Sequence, residues 1–174
     1  HGAENWLGQP ALTQIDPFVA ANDVIPAPFS IEWQGMIYVP EDGLYVFSTI
    51  SDDGSFLYID NELVVDNGGH HGDQEREGRR SLTKGYHPIG IRYFQVDGGR
   101  KLELYWAPPG RAQERVPATY LLPPGASQDT EPLPPPPVGA EPAQQTPAQS
   151  TAQPQQAPAG AQLAPLVDIA LTAT

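Results

Sequence analysis

The adjacent residues Asp52 and Asp53 place two carboxylates side by side, and of all side chains in this sequence they are the best candidates for binding a cation. Two like charges held about 4 Å apart repel by about 4 kcal/mol at an intermediate dielectric constant. A bound Ca²⁺ ion, which takes about 6–8 oxygen ligands, would turn that repulsion into attraction. The alternative is an ordinary turn, because Asp and the following Gly54 both favour the turn that ends a strand. The pair therefore predicts either a cation site or a simple strand end.

A polar, glycine-rich loop at residues 66–73 contains two adjacent histidines, His70 and His71. A zinc site needs three or four well-spaced ligands, and neighbouring side chains in such a loop point in divergent directions. We therefore interpret His70 and His71 as residues that pack under the loop or contact a ligand at its rim.

The composition excludes several classes of protein. The 174-residue chain has no cysteine, which excludes disulfides, thiolate–zinc sites and cysteine nucleophiles. Its formal net charge of −12 argues against nucleic acid or anionic lipid as a partner, because both require a basic surface. The sequence has no apolar run of the roughly 18 residues that a membrane-spanning helix needs.

The arrangement of acidic residues does not favour catalysis. A retaining glycosidase places two carboxyl groups about 5–5.5 Å apart across a cleft, and one of them has a raised pKa. Adjacent aspartates at a turn are better suited to sharing one ion than to dividing the acid and nucleophile roles. The Gly-x-Ser-x-Gly, phosphate-loop and His-Glu-x-x-His motifs do not occur. We predict that the chain is not an enzyme and has no catalytic residues.

Short strands are the elements that must position these residues. Side chains alternate with period two along 31–39, and Asp60-Asn61 between two apolar runs is typical of a tight hairpin turn. Trp33 and Trp106 fall on inward positions, so we expect both in the core. Many short strands at regular spacing predict an all-β fold, an antiparallel β-sandwich. The predicted strands are 31–39, 44–50, 55–60, 62–66, 79–83, 86–95, 101–107 and 116–121.

The chain divides into three parts by composition. Residues 1–122 hold almost all aromatic and β-branched side chains and predict one folded domain. Residues 123–162 are rich in Pro, Gln and Ala and predict an extended linker or stalk, with a polyproline element at 131–138. The β-prone residues 163–174 are either a strand donated to another copy or the start of a following domain. Hydroxyl residues near prolines predict O-glycosylation at Ser127, Thr130, Thr146, Ser150 and Thr151.

Several motifs occur in an order that resembles the protective-antigen (PA-14) domain family, a β-sandwich module of adhesins, glycosidases and bacterial surface proteins. The resemblance spans roughly residues 14–122. The opening strand typical of the family is not evident before Trp6, which would leave a sheet edge unpaired. The matching segments are 29–47, 51–54, 57–60, 66–70, 85–89 and 104–106.

The resemblance implies a calcium-assisted glycan site. In glycan-binding members, the matching Asp pair is joined by a cis peptide, binds calcium and shares the ion with sugar hydroxyls. A further amide ligand falls near Gln95 by order along the chain, with Asp97 close by. The implied metal ligands are Asp52, Asp53, Gln95 and Asp97. The implied ligand-binding residues are Asp52, Asp53, His70 and His71.

Two functions follow as hypotheses. The first is an extracellular carbohydrate-binding or adhesion module of a bacterial cell surface, with a glycan as partner and calcium as cofactor. The second is a structural subunit of an extracellular filament or surface layer. In that case the partners are other copies of the chain, joined through residues 163–174 and an open sheet edge by main-chain hydrogen bonds.

Overall fold

The computed structural model describes residues 12–16, 19, 25–129, 132 and 167–172. These residues form eleven strands and one turn of 3-10 helix, Ala118–Tyr120. The predicted all-β fold is therefore confirmed. In chain order the strands are β1 (Leu12–Asp16), β2 (Phe29–Val39), β3 (Gly43–Asp52), β4 (Ser55–Ile59), β5 (Glu62–Asn67), β6 (Gln74–Leu82), β7 (Gly85–Gln95), β8 (Lys101–Ala107), β9 (Glu114–Arg115), β10 (Leu121–Leu122) and β11 (Val167–Thr172).

The strands form two antiparallel sheets that face each other. The larger sheet has the order β1-β11-β2-β7-β4-β5, and β10 pairs with a further part of β2. The smaller sheet has the order β6-β3-β8-β9. This arrangement confirms the predicted antiparallel β-sandwich. Among the described residues, no helix has the length and hydropathy needed to cross a lipid bilayer.

Apolar side chains from the inner faces of both sheets form the core. Trp33 of β2 and Trp106 of β8 are each 1% exposed, as the alternation of their strands predicts. The ring of Trp106 lies 5.7 Å from that of Tyr45 on the neighbouring strand β3. Burial of a large apolar side chain stabilises the fold by about 1.5–3 kcal/mol. The core therefore fixes the relative positions of the strands and hence of the loops that join them.

The turn between β4 and β5 has the predicted form. Asp60 and Asn61 have φ angles of 51° and 62°, the left-handed conformation of a type I′ hairpin turn. The side chain of Asp60 also accepts a hydrogen bond from His87 Nδ1 at 3.0 Å. The turn is thus defined by its own two residues and is held by a neighbouring strand.

Two strand predictions were wrong. β6 begins at Gln74, five residues before the predicted start, because its first half is polar on both faces and shows no alternation. Its position is set by pairing with β3, where Gln74 lies opposite Ser51. The predicted strand 116–121 does not form: the 3-10 turn after Pro117 takes its place, and only Leu121 of this segment belongs to a strand, β10. Proline lacks the N–H group that a strand ladder requires.

The carboxy-terminal strand lies within the sheet of its own chain. β11 pairs antiparallel with β1 on one side and with β2 on the other, with five residue pairs on each side. β1 was not among the predicted strands. Ser127, a predicted glycosylation site, is exposed and its hydroxyl donates to the Asp129 carboxylate. The other four predicted glycosylation sites, at 130, 146, 150 and 151, lie outside the described residues.

We predict that Gly78→Ala destabilises the sandwich where the two sheets meet at β5 and β6. A Cβ atom at Gly78 would lie 1.7 Å from the Val64 carbonyl oxygen, and a backbone atom cannot rotate away. Forcing an extra carbon into packed structure costs about 1–3 kcal/mol. Urea unfolding should show this loss for Gly78→Ala and little change for Gly72→Ala, where a Cβ meets nothing within 4 Å. Equal stabilities of the two variants would contradict this packing.

Candidate functional site

Asp53 lies where three loops meet at one end of the sandwich. These loops join β3 to β4, β5 to β6, and β7 to β8. The Asp53 side chain is buried, at 1% exposure. Its Oδ1 accepts a hydrogen bond from the His71 N–H at 3.1 Å, and its Oδ2 accepts one from the Val96 N–H at 2.7 Å. The carboxylate of one loop therefore holds the main chains of the other two.

The peptide bond between Asp52 and Asp53 is cis, as the family resemblance implies. The carbonyl oxygen of Asp52 accepts a hydrogen bond from the Tyr93 hydroxyl at 2.6 Å. The N–H of Asp53 donates to Gln95 Oε1 at 3.1 Å. Burial raises the pKa of Tyr93, so its hydroxyl stays protonated and can donate. Two side chains of β7 thus hold both polar groups of this peptide.

Gln95 is fully buried, and both polar atoms of its side chain have hydrogen-bond partners in the protein. Its Oε1 faces the Asp53 N–H and the Tyr93 hydroxyl, and its Nε2 donates to the Asp97 carbonyl oxygen at 2.6 Å. An amide oxygen has two lone pairs; the Asp53 N–H occupies one, and the Tyr93 hydroxyl, whose single proton is shared with the Asp52 carbonyl oxygen, faces the other. These contacts favour a role for Gln95 in positioning the Asp52–Asp53 peptide over direct coordination of a metal ion.

Negative charge is crowded around the half-buried Asp52. Burial raises the pKa of the Asp52 carboxyl, and the neighbouring charges of Asp53 and Asp73 raise it further. Gly99 lies directly beside this carboxylate, since a Cβ at Gly99 would be 2.6 Å from Asp52 Oδ2. A carboxylate whose charge is disfavoured by burial and like charges is a place where a cation is favourable.

The predicted ligand-binding histidines lie beside the Asp pair. His70 Nε2 is 3.5 Å from Asp53 Oδ1 and 3.2 Å from Asp97 Oδ1. The side chains of His70 and Asp97 are 57% and 76% exposed, so they form an open rim above the buried Asp53. His71 approaches Asp53 through its main-chain N–H. The structure therefore brings together Asp52, Asp53, His70, His71 and Asp97, while Gln95 lies beneath them.

The described side chains suit calcium by their chemistry but do not form a complete set of ligands. Within the described ranges, no group of three or more His, Cys, Asp or Glu side chains is arranged to hold a metal ion. Each Asp53 oxygen accepts one main-chain N–H, which leaves a further lone pair on each. An ion bound by Asp52 and Asp53 would complete the about 6–8 oxygens that calcium prefers with carbonyl groups, water or ligand hydroxyls.

A buried polar network supports the loops from below. Asn67 Nδ2 donates to Ser51 Oγ at 3.0 Å and to the Gln74 carbonyl oxygen at 2.9 Å. The hydroxyls of Ser51 and Ser55 are 2.8 Å apart, and Ser55 donates to Thr49 Oγ1 at 2.9 Å. These contacts link β3, β4, β5 and the start of β6. Satisfied networks of this kind make a site rigid.

Sequence reasoning missed the supporting roles of Asn67 and Tyr93. A signal for Asn67 was present, because it lies two residues after the buried Val65 and so on the same inward face of β5. A polar residue at an inward position needs a hydrogen-bond partner. No comparable signal marked Tyr93, which looks like any core aromatic residue of a strand.

We predict that Asp52→Asn raises the stability of the calcium-free protein at neutral pH. Because the folded-state pKa of Asp52 is raised, the folded state binds more protons than the unfolded state between the ordinary value of 3.8 and the raised value. The free energy of unfolding therefore falls as pH rises through that window. Asn does not ionise, so the variant should avoid this loss.

Thermal unfolding against pH provides the measurement. The variant should have a Tm a few degrees above that of the wild type at neutral pH, and the difference should shrink once the pH falls below the ordinary Asp pKa. The exposed Asp129→Asn variant serves as the matched control. A lower Tm for Asp52→Asn at neutral pH would show that charge crowding is not the dominant effect.

Comparison of the sequence with known proteins finds relatives that match this chain over only a part of their own length. A beta-hexosaminidase of Porphyromonas gingivalis is 42% identical over 78 residues, which cover 44% of this chain and 9% of that protein. The anti-sigma-I factor RsgI3 of Acetivibrio thermocellus is 26% identical over 96 residues, covering 55% of this chain and 15% of that protein. The chain thus spans only a small part of each relative.

Among solved structures, an anti-sigma factor domain-containing protein is similar with a TM-score of 0.59 and 27% identity. The similarity covers 64% of this chain and 41% of that one. The model of the PA14 domain family matches residues 19–120, which include every strand from β2 to β9 and all three loops around Asp53. The chain belongs to the PA14 domain family.

Proposed function

We propose that the domain is a non-catalytic carbohydrate-binding module whose site is the Asp52–Asp53 pair. The observation that supports this most strongly is the arrangement of Asp53, a buried carboxylate held by two main-chain N–H groups beside a second, charge-crowded carboxylate. Above the pair lies an open rim of His70 and Asp97 that a ligand can reach. Such a site combines fixed carboxylates at its floor with exposed polar groups at its rim, which suits a hydroxyl-rich ligand.

The residues have separate roles in the proposed site. The two N–H donors hold the Asp53 carboxylate in one orientation, and Gln95 and Tyr93 hold the peptide before it. Calcium bound at Asp52 and Asp53 would relieve their repulsion and offer its remaining coordination positions to two sugar hydroxyls. His70 Nε2 at the rim can donate to a neighbouring hydroxyl once it turns from Asp97. The net charge of −12 favours neutral over acidic sugars.

The proposed setting is outside the cell or at its surface, in a bacterium. Two carboxylates give a weak calcium site, and extracellular modules bind calcium with dissociation constants of about 10⁻⁴–10⁻³ M. One relative is named as a beta-hexosaminidase, although the aligned region is 9% of it. We infer that, in a protein of that kind, a domain like this one directs the enzyme to its substrate and takes no part in catalysis.

We predict that glycan binding depends on calcium and on Asp53. Glycan arrays followed by calorimetry should detect a neutral glycan in the presence of calcium, and a chelator should weaken this binding at least about tenfold, which corresponds to about 1.4 kcal/mol. Asp53→Asn should have the same effect, and Asp129→Asn should bind like the wild type. Equal binding by wild type and Asp53→Asn, with or without chelator, would refute the proposed site.

A second pair of variants tests the site without changing its charge. Gly99→Ala places a methyl group beside the Asp52 carboxylate, so it should weaken calcium binding, whereas Gly72→Ala occupies open space in the same cluster of loops. Both variants should keep the wild-type circular dichroism spectrum. Calcium titrations of equal affinity for the two alanine variants would contradict a role for Asp52.

The position of β11 favours a second role, as a subunit of a filament or surface layer. β11 lies between β1 and β2 and provides main-chain hydrogen-bonding partners to both. The β11 strand of another copy could make the same hydrogen bonds, which is the basis of strand exchange. Residues 130–166 link β11 to the rest of the sandwich, and a linker of that length permits either arrangement.

We predict that copies of the chain exchange β11 at high protein concentration. The chain has no cysteine, so Gln34→Cys and Asp168→Cys introduce one thiol each at positions that lie opposite one another. An oxidised mixture of the two single variants should give disulfide-linked dimers, and deletion of residues 163–174 should abolish assembly. A double variant with both cysteines in one chain is the control. Exchange would be refuted if only this double variant formed a disulfide, within a monomer, and if deletion of residues 163–174 left assembly unchanged.

A further inference from the structure

A groove of about 500 Å³ lies on the outer face of the larger sheet, away from the Asp52–Asp53 pair. Asn61, in the β4–β5 turn, lies at one side of this outer-face groove, whereas the Asp pair lies at the opposite end of β4. Small-molecule sites commonly have volumes of about 300–1,000 Å³. The groove is therefore large enough for a mono- or disaccharide and is separate from the site described above.

Gly90 of β7 forms the floor of the outer-face groove. It lies opposite Gln34 of β2 and Tyr58 of β4. A Cβ built on Gly90 would meet only Tyr58 Cβ at 3.8 Å and the Trp33 carbonyl oxygen at 4.0 Å, which are ordinary contact distances. The missing side chain thus leaves a hollow in the sheet surface that a larger residue could fill without distorting the strand.

The walls of the groove combine an aromatic ring with polar groups. The Arg92 guanidinium lies 5.2 Å from the centre of the Tyr58 ring, and Arg92 Nε donates to Glu32 Oε1 at 3.0 Å. These three side chains stand on three adjacent strands, so their positions are set by the sheet. The charges of Arg92 and Glu32 compensate each other. Exposed amide side chains of Gln34 and Asn61 complete the polar lining.

We propose that the outer-face groove is a second carbohydrate subsite, which binds a neutral sugar unit without calcium. The Met36 and Pro88 side chains, with the part of the partly exposed Tyr58 ring that Arg92 leaves uncovered, provide apolar surface for the C–H groups of a sugar ring. Planar amide and carboxylate groups suit pairs of neighbouring hydroxyls. The compensated charges give no advantage to an ionic ligand. This inference rests on the proposed carbohydrate-binding function and adds a second point of contact with the same class of ligand.

The experiment fills the groove and removes calcium independently. The probes are cellobiose, mannobiose, lactose and N,N′-diacetylchitobiose, titrated into ¹⁵N-labelled protein of the full chain with excess chelator. At least one disaccharide should shift the amide signals of Tyr58, Gly90 and Arg92. Gly90→Gln should weaken this chelator-resistant binding at least tenfold, and Tyr58→Ala should also weaken it. Ser81→Gln, at an exposed position of β6 on the other sheet, should bind like the wild type.

The outcomes separate the two sites. Chelator-resistant binding that Gly90→Gln removes supports the groove, even if no calcium-dependent binding is found. Loss of all binding in chelator, or equal binding by Gly90→Gln and the wild type, overturns the groove and leaves the calcium site intact. Deletion of residues 131–138 tests another occupant, the proline-rich segment of the chain itself. If the deletion shifts the amide signals of Tyr58 and Arg92 in the absence of any sugar, the groove binds that segment and the sugar proposal is overturned.

Discussion

The hydrogen bonds that the buried Asp53 carboxylate accepts from two other loops are the interaction on which the rest of the site depends. One oxygen accepts the N–H of His71 and the other that of Val96. Three loops, each of which connects one sheet to the other, are thereby joined at a single carboxylate. A buried carboxylate is tolerated only when its charge is compensated by hydrogen bonds or a cation. Asp52 stands beside it with a raised pKa, so the local charge is only partly compensated by the protein.

The surrounding structure is built to keep this arrangement in place. Gly54 allows a close approach, since a Cβ there would lie 2.4 Å from the Phe94 ring and 2.9 Å from the Gly69 carbonyl oxygen. The network of Asn67 with Ser51 satisfies polar groups that would otherwise be buried without partners. Rigid strands thus hold the polar groups of the Asp52–Asp53 site at one end of the sandwich. The groove on the outer face of the larger sheet does not depend on these loops.

Local features of the sequence predicted much of the fold. Alternation along their strands predicts that Trp33 and Trp106 lie in the core, and two residues that tolerate a left-handed conformation predict the Asp60-Asn61 turn. Features set by distant contacts were not predictable. The first half of β6 is polar on both faces and is a strand only because β3 lies beside it. The family resemblance implies a position near the Asp pair for Gln95, but its contacts with Asp53, Tyr93 and Asp97 depend on three separate segments coming together.

The Asp52–Asp53 pair is best tested by a crystal structure grown with calcium, with anomalous data collected at a wavelength where calcium scatters. We expect an anomalous peak about 2.3–2.6 Å from oxygens of both carboxylates, which is the usual calcium–oxygen distance. The peptide between the two residues should be cis, with Tyr93 and Gln95 bonded to it. Absence of a peak at saturating calcium, with the two carboxylates pointing apart into solvent, would contradict a calcium-assisted site.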